Sequence, residues 1–253
     1  MKISIITVSY NSAETISSTF QSVMNQNFSD LEYIVIDGGS VDDTLSIIND
    51  YSALISTCIS EPDYGIYDAM NKGVAIASGD IIGVLNSDDY YLSDCVLSKV
   101  SSLFEADPNL DVVLGGVDFI DSNFVDKPLR RYDAVGFRPF MFAFGLMPPH
   151  PAVFVRKSAY NRVGLYKLDF KIAADFDFLT RLLLVDRAKY VVCKDTFVRM
   201  RIGGVSTRGI QSIKIITREM YSSLKVNGVF ASFSLLLMRL PFKFLMQVLR
   251  YKF

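Results

Sequence analysis

The sequence contains no tryptophan and only one histidine, and its three cysteines, Cys58, Cys95 and Cys193, are far apart. An odd number of cysteines at this spacing does not suit a disulfide framework or a zinc site. Their apolar or mixed surroundings predict buried thiols, and we expect a reducing, cytoplasmic location. No stretch of about 18 uninterrupted apolar residues occurs, so the sequence predicts no membrane-spanning helix.

A strong net charge is also missing, because the formal charge is −1 over 253 residues. Such a protein has no global basic field, and no motif of interleaved aromatic and basic residues is found, so nucleic acid is not an expected partner. Hydrophobic residues make up 50% of the chain. That share is sufficient for the core of one large domain, with or without an appendage.

A glycine-rich phosphate loop is the last notable absence. The first predicted strand, residues 2–9, is followed by Tyr10, Asn11 and Ser12. This argues against the dinucleotide-binding and P-loop classes. What the first half does contain is an alternation of apolar runs and helical periodicity, which predicts βαβ units and a mostly parallel sheet flanked by helices.

The predicted elements follow from these patterns. Strands are predicted at residues 2–9, 31–37, 55–60, 81–86, 112–121, 150–156 and 189–199, and helices include 64–78 and Asp175 to about Val185. Residues 122–149 contain Pro128, Pro139, Pro148 and Pro149 and many aromatic residues. We expect this segment to be an irregular loop that covers a substrate.

The most informative stretch is residues 79–89, an apolar run that ends in Asp88 and Asp89. In open α/β sheets, ligands bind beyond the carboxyl ends of the strands. Two adjacent carboxylates there repel each other unless a cation or a proton lies between them, so they indicate a divalent ion with a phosphorylated substrate. The alternative is a helix N-cap or an Asx turn.

Four motifs occur in order: Ile6-Thr7-Val8-Ser9-Tyr10-Asn11, Val35-Ile36-Asp37-Gly38-Gly39-Ser40-Val41-Asp42-Asp43-Thr44, Asn71-Lys72-Gly73 with Ala77-Ser78-Gly79-Asp80, and Leu85-Asn86-Ser87-Asp88-Asp89. Together they resemble the N-terminal signature of the family 2 glycosyltransferases. The resemblance implies a Rossmann-like GT-A fold and an inverting transfer from a nucleotide-activated sugar. It also implies a divalent cofactor, Mn²⁺ or Mg²⁺.

The resemblance also implies roles for individual residues. Ser9 and Tyr10 would lie at the nucleotide, Asp37 would contact the base, and Asp68, Asn71 and Lys72 would approach the ribose or phosphate. Asp88 would bind the metal. Asn86 replaces the first carboxylate of the family's Asp-X-Asp motif, and its amide oxygen can still ligate the ion, although with less charge. Asp89 would compensate for this lost charge at the nucleotide-sugar site. Turn formation is the alternative for Asn86 and Asp89.

The expected catalytic base is Asp175, because the family places a carboxylate at the start of a helix after the sheet. Asp177 is the second choice, and a helix N-cap is the alternative for Asp175. His150 and Arg201 are candidates for contact with the acceptor or a phosphate, with a merely structural histidine as the alternative. A loop at 203–206 could close over the diphosphate, or be an ordinary loop.

The C-terminal part changes character. From Met220 onward the chain has basic residues and no acidic ones, and apolar residues on both sides of Pro241 predict two short amphipathic helical pieces. These would either pack on the domain or lie at the cytoplasmic surface of an inner membrane. We therefore expect a GT-A domain at 1–209 and a helical extension at 210–253.

The predicted activity is sugar transfer to a saccharide or lipid-linked acceptor in bacterial surface polysaccharide synthesis. Two alternatives remain at this point. One is a non-catalytic subunit that binds a nucleotide sugar, since one carboxylate is missing at Asn86. The other is a nucleotidyltransferase, which usually carries a glycine- and lysine/arginine-rich loop that this chain lacks.

Overall fold

A computed structural model of the protein describes residues 1–121, 124–203 and 209–240. Within these ranges the strands are β1 (Ile3–Ser9), β2 (Leu31–Asp37), β3 (Thr57–Ser60), β4 (Ile81–Val84), β5 (Asp89–Tyr91), β6 (Val112–Asp121), β7 (Phe124–Tyr132), β8 (Val153–Arg156) and β9 (Tyr190–Arg201). The helices are α1 (Ile16–Met24), α2 (Thr44–Asp50), α3 (Ile66–Ile76), α4 (Val96–Ala106), α5 (Lys157–Val163), α6 (Ala174–Leu179) and α7 (Gly209–Val226).

These strands form one sheet in the order β3-β2-β1-β4-β8-β6-β9-β5, with β7 added to β6. The predicted α/β class, with helices flanking the sheet, is confirmed. The sheet is parallel from β3 to β4 and again between β6 and β9. The other four pairings are antiparallel, so "mostly parallel" describes only the N-terminal half. Strand β8 is antiparallel to both β4 and β6. A strand parallel to its neighbour would instead need a crossover connection.

The parallel half is buried on both faces, which explains its continuous apolar strands. Successive side chains of β1 alternate between two cores: Ile3 and Ile5 contribute to the cluster that contains α1, whereas Ile6 and Val8 contribute to the one that contains α3. Gly73 of α3 lies directly over Ile6. A Cβ added at residue 73 would come within 2.4 Å of the Ile6 Cγ2. The glycine therefore lets α3 pack closely on β1.

The prolines of residues 122–149 predict an irregular loop, but residues 124–144 contain a strand and a short helix. Strand β7 pairs with β6 as a hairpin, and Pro128 lies opposite Ile120, where the register shifts. Proline is tolerated at such a position because β7 is an edge strand and a bulge needs no regular ladder bond. Further along, Pro139–Phe144 forms a short 3₁₀ helix. Residues 122–123 lie outside the described residues.

The cysteine prediction is wrong in one respect. All three thiols are free, but Cys58 is exposed and the other two are half-buried. Cys58 lies on β3, which is the edge strand next to β2. An edge strand has only one neighbour, so its outer surface stays accessible.

The C-terminal segment is integrated into the domain as far as it is described. After α7, a further helix covers residues 233–240. Leu224 and Leu236 are fully buried and belong to the core cluster that contains α3. Arg239, one of the basic residues expected at a membrane surface, is buried and donates a hydrogen bond to Thr217 Oγ1 at 2.9 Å. The predicted helical piece after Pro241 lies outside the described residues, as does most of the 203–206 loop.

Across the three described ranges, the helices are too short or too polar to cross a lipid bilayer.

Candidate active site

The candidate site lies where β1, β2 and β4 end. Because these strands are parallel and Ser9 pairs with Asp37, their carboxyl ends reach the same edge of the sheet. The loop that follows β4, residues 86–89, comes out at this edge beside the end of β1. Its position is fixed in part by a hydrogen bond between the Ser87 and Ser12 hydroxyls, at 2.8 Å.

Asp37 organises the end of β2. Its carboxylate is fully buried and accepts hydrogen bonds from the hydroxyls of Ser9, Ser40 and Ser60, at 3.0, 2.5 and 2.8 Å, and from two backbone N–H groups of the same loop. Burial alone would raise the pKa of Asp37, but these donors outweigh it and the pKa lies below its usual value. Five donors fill the acceptor positions of a carboxylate. The predicted contact of Asp37 with a base therefore lacks a free acceptor, and the residue shapes this edge instead.

Two other side chains at the same edge are accessible. Tyr10, directly after β1, is 64% exposed and presents its ring to solvent. Asp63 lies over Gly38, with its Oδ2 only 2.5 Å from where a Cβ of residue 38 would stand. Its Oδ1 accepts the backbone N–H of Gly65 at 2.8 Å. The sequence analysis missed Asp63, because only the glycine at 38 allows the approach and nothing in the local pattern marks it.

The predicted ribose- or phosphate-binding residues lie on α3, which begins at this edge. Lys72 forms ion pairs with Glu61 at 2.8 Å and Asp68 at 3.4 Å, and all three are at least partly accessible. Asn71 has a different environment. Its amide donates to the Tyr166 carbonyl and accepts from the Tyr166 N–H, at 2.8 and 2.9 Å, so both ends of this side chain already anchor the 166 segment.

The two carboxylates of the 86–89 loop differ in burial, and both have raised pKa values. Asp88 is half-buried and Asp89 is fully buried. Burial raises the pKa of Asp88, and burial together with the charge of Asp88 holds the pKa of Asp89 well above its usual range. Asn86 Oδ1 and Asp89 Oδ1 are buried without a hydrogen-bond partner. Buried acceptor oxygens without donors are rare, and a cation is one way of satisfying them.

These residues therefore fit a divalent ion, as oxygen ligands of the kind that Mg²⁺ and Mn²⁺ accept. Asp88, Asn86 and Asp89 supply only two carboxylates between them. Consistent with this, no group of three or more histidine, cysteine or acidic side chains suited to a metal occurs within 1–121, 124–203 and 209–240.

The backbone of the same loop is tied down on both sides. Thr19 Oγ1 lies 3.0 Å from the Ser87 carbonyl and 2.7 Å from the Asp89 carbonyl. Arg201 donates to the Asp88 carbonyl at 2.7 Å and to Ser18 Oγ at 2.9 Å. Arg201, predicted to contact the acceptor or a phosphate, thus holds the carboxylate loop by its backbone. Thr19 was not predicted, because its partners are about 70 residues away in the sequence.

Asp175 lies near the start of α6, next to the first turn of α3. Its Oδ1 accepts the N–H of Phe176 at 2.7 Å, and the Tyr67 hydroxyl is 3.4 Å away. Burial raises the pKa of Asp175 to about 6. The N-cap of α6 is Ala173, and no side chain caps this helix. The N-cap alternative for Asp175 is therefore wrong, and a half-buried carboxylate with a raised pKa is what a general base requires.

The second-choice base, Asp177, is occupied. It is fully buried and paired with Arg181 at 2.8 Å and Lys167 at 3.4 Å, and it accepts hydrogen bonds from Ser223 and Asn227 of the C-terminal segment. Burial would raise its pKa, but these partners bring the pKa below its usual value. Asp177 thus joins α6 to α7 and has no free acceptor for a proton.

His150 packs against Tyr166, which is itself in contact with Tyr67, Tyr160 and Phe178. Its Nε2 is 2.8 Å from the Tyr166 hydroxyl, which is itself 3.2 Å from the Tyr160 hydroxyl. Burial lowers the pKa of His150 to about 4, so the imidazole is neutral at physiological pH. A neutral, hydrogen-bonded histidine of this kind supports the structural alternative rather than a charged phosphate contact.

Comparison with known proteins agrees with the class that the fold and the site indicate, an α/β transferase with its polar groups at the carboxyl ends of the strands. The model of Glycosyl transferase family 2 matches residues 4–167. A Mycobacterium tuberculosis protein named uncharacterized glycosyltransferase is 34% identical over 212 residues, which cover 83% of this chain and 77% of that protein. The chain belongs to glycosyltransferase family 2, and it is a glycosyltransferase.

Other relatives carry more specific names. A PGL/p-HBAD biosynthesis glycosyltransferase of Mycobacterium bovis is 31% identical, with 75% of this chain and 74% of the relative covered. An Escherichia coli protein, the UDP-Glc:alpha-D-GlcNAc-diphosphoundecaprenol beta-1,3-glucosyltransferase WfaP, is 27% identical, with 83% and 82% covered. Both relatives are thus named as enzymes of sugar transfer.

Solved structures show the same fold. The Staphylococcus aureus TarS 1–349 complex with UDP-GlcNAc has a TM-score of 0.65 at 19% identity, and the match covers 88% of this chain and 66% of that one. The Pyrobaculum calidifontis mannosyltransferase PcManGT, in complex with GDP-Man and Mn²⁺, has a TM-score of 0.63 at 16% identity, with 88% and 63% covered. The chain thus spans about two thirds of these structures, and the predicted GT-A fold is confirmed.

Proposed function

We propose that the protein is a metal-dependent inverting glycosyltransferase. It would transfer a sugar from a nucleoside-diphosphate donor to a saccharide or lipid-linked acceptor during bacterial surface polysaccharide synthesis. The observation that carries this proposal is the presence of two unlike acidic groups, the 86–89 loop and Asp175. The first leaves two buried oxygens, Asn86 Oδ1 and Asp89 Oδ1, without a hydrogen-bond partner, and burial raises the pKa of the second to about 6.

The acidic loop is the metal half of the site. Asp88 and Asn86 would hold Mn²⁺ or Mg²⁺, with Asp89 behind them as a buried negative charge. A bound divalent ion supplies electrostatic stabilisation of the departing nucleoside diphosphate. Thr19 and Arg201 keep the loop backbone in place, so the ligands need little rearrangement. Preorganisation of this kind is a large part of electrostatic catalysis.

The donor's nucleoside would lie across the ends of β1 and β2. Tyr10 offers an exposed ring on which a base can stack, and such stacking contributes about 1–3 kcal/mol. Since Asp37 has no free acceptor, we assign the hydrogen bond to the base to the Asp63 carboxylate above Gly38. Lys72, with Asp68 beside it, would face the ribose or phosphate.

Asp175 would accept the proton of the acceptor hydroxyl as that oxygen attacks the anomeric carbon. The Phe176 N–H and the Tyr67 hydroxyl both approach Oδ1, and this leaves Oδ2 for the acceptor. A base whose pKa lies near the working pH is effective because it is ionised yet still takes up a proton. Attack opposite the leaving group inverts the anomeric configuration.

The acceptor and the location follow from the relatives and from the C-terminal charge. WfaP is named for a diphosphoundecaprenol-linked acceptor, and a lipid-linked acceptor of that type would require the enzyme to work at the cytoplasmic face of the inner membrane. We propose that residues 210–253 are a C-terminal extension and that the basic and apolar stretch after residue 240 binds this surface. Liposome pelleting of the full chain and of a chain that stops at residue 240 tests this: equal partition would refute it.

Turnover assays test the activity itself. Purified protein with Mn²⁺ and a panel of UDP-, GDP- and dTDP-sugars should release nucleoside diphosphate, and NMR of the product should show an inverted anomeric centre. Asp88→Ala and Asp175→Ala should abolish release, whereas the exposed Asp94→Ala serves as the matched control. Nucleotide binding without turnover on any acceptor would favour the non-catalytic subunit instead.

A further inference from the structure

The geometry points to Glu219 of α7 as a positioning residue for Asp175. This inference rests on the proposed role of Asp175 as the base. It adds that the base is held in place from a helix that lies beyond the part of the chain matched by the family model, which ends at residue 167. Glu219 itself does not touch the reacting atoms in this scheme.

The first observation is a three-point contact. The Glu219 carboxylate accepts the backbone N–H groups of Lys171, Ile172 and Ala173, at 2.8, 2.9 and 2.9 Å. These residues form the last stretch of chain before α6, and Ala173 is the N-cap of that helix. A carboxylate that accepts several backbone N–H groups makes strong, charge-assisted bonds. Glu219 thereby fixes the backbone that leads into Asp175.

The second observation is that the same short segment is held from the other side. The Tyr67 hydroxyl donates to the Ile172 carbonyl at 2.5 Å and also lies 3.4 Å from Asp175 Oδ1. One residue of α3 and one of α7 therefore bind opposite polar groups of the segment. Beyond Asp175, the contacts of Asp177 with Ser223 and Asn227 attach α6 to α7 again.

The third observation is electrostatic. The charge of Glu219 contributes, after burial, to the raised pKa of Asp175. Among the described residues, the hydroxyls of Tyr67 and Tyr166 also face Asp175. Their pKa values are raised well above the usual value, so they are neutral at working pH. Glu219 is thus the charged neighbour that acts on the base, and its removal should make Asp175 a weaker base.

The experiment compares Glu219→Gln and Glu219→Asp with the wild type, and uses Lys214→Gln as the control, which removes one exposed charge from the same helix. In Glu219→Gln we expect kcat to fall by about tenfold to a hundredfold, with an unchanged KM for the donor and an acid limb of the kcat–pH profile displaced to lower pH. Glu219→Asp keeps the charge but shortens the reach, so kcat should fall while the acid limb stays near its wild-type position.

Circular dichroism and unfolding curves establish that each variant is folded. An unchanged kcat and acid limb in folded Glu219→Gln would overturn the inference. So would a rise in donor KM that accounts for the whole loss, because that result indicates a general disturbance of the crevice. Failure of the proposed function has a different signature: Asp175→Asn would then turn over donor at the wild-type rate.

Discussion

Replacing Asp175 with asparagine should stabilise the protein while it removes the activity. Burial raises the pKa of Asp175 from 3.8 to about 6 in the folded state. The native state therefore binds this proton more tightly than the unfolded state does, and the resulting stability is complete below about pH 3.8 and lost as the pH rises through about 6. A difference of this size corresponds to about 3 kcal/mol above pH 6, as an upper value.

Asparagine has nearly the same shape, and its carbonyl oxygen can still accept from Phe176 and Tyr67, but it carries no charge. Unfolding in urea should show Asp175→Asn equal to the wild type at about pH 4 and more stable by up to about 3 kcal/mol at about pH 7.5. A variant that is no more stable at the higher pH, or a difference that does not grow with pH, would refute the assignment of the raised pKa to burial.

Asp177 provides an internal control of opposite sign, because its partners lower its pKa in the folded state. Such a group contributes stability above its unfolded pKa, and this contribution is lost as the pH falls. Asp177→Asn leaves Arg181 and Lys167 without their buried counter-charge, and breaking a buried pair in this way costs about 3–5 kcal/mol. The two substitutions, two residues apart, should therefore change the free energy of unfolding in opposite directions at about pH 7.5.

Three further substitutions test other parts of the site. Tyr10→Ala should weaken nucleoside-diphosphate binding by about tenfold to a hundredfold in titration calorimetry, because a stacked ring contributes about 1–3 kcal/mol; Tyr10→Phe should bind normally. Asn86→Asp adds the missing carboxylate and should lower the Mn²⁺ concentration for half-maximal activity by about tenfold, and an unchanged Mn²⁺ dependence would contradict the ligand assignment. Gly73→Ala should destabilise the fold by about 1–3 kcal/mol in thermal unfolding, because its Cβ meets Ile6; wild-type stability would show that α3 can move away.

The parallel half of the fold and the position of Asp88 and Asp89 at its edge were predictable from the sequence. The strands that end at Ser9 and Asp37, and the strand that precedes Asp88, are apolar runs followed by polar residues, and parallel strands bring such ends together. The signal is local, because period, burial and strand termination can all be read within about ten residues. The start of α6 near Asp175 is predictable for the same reason.

Contacts between distant parts of the chain were not predictable in this way. Thr19 supports the acidic loop, Asp63 replaces Asp37 as the accessible carboxylate, and Glu219 holds the segment before Asp175. Each assignment depends on which backbone groups lie close in space, and one sequence contains no information on such pairs. Strand β7 illustrates the same limit, since its proline is acceptable only at the edge position that the hairpin with β6 creates.

The residues proposed for the donor and those proposed for the acceptor lie in different parts of the chain. Tyr10, Asp63 and the 86–89 loop lie within residues 4–167, the region matched by the family model. Asp175 and the preceding segment, residues 171–173, come later in the chain, and Glu219 of α7 holds that segment in position. A change in α7 is therefore expected to alter the orientation and basicity of Asp175 without touching the proposed nucleotide contacts. Acceptor choice is expected to follow the C-terminal part of the chain, and an exchange of residues 168–240 between two relatives should transfer acceptor preference and leave nucleotide preference with the N-terminal part.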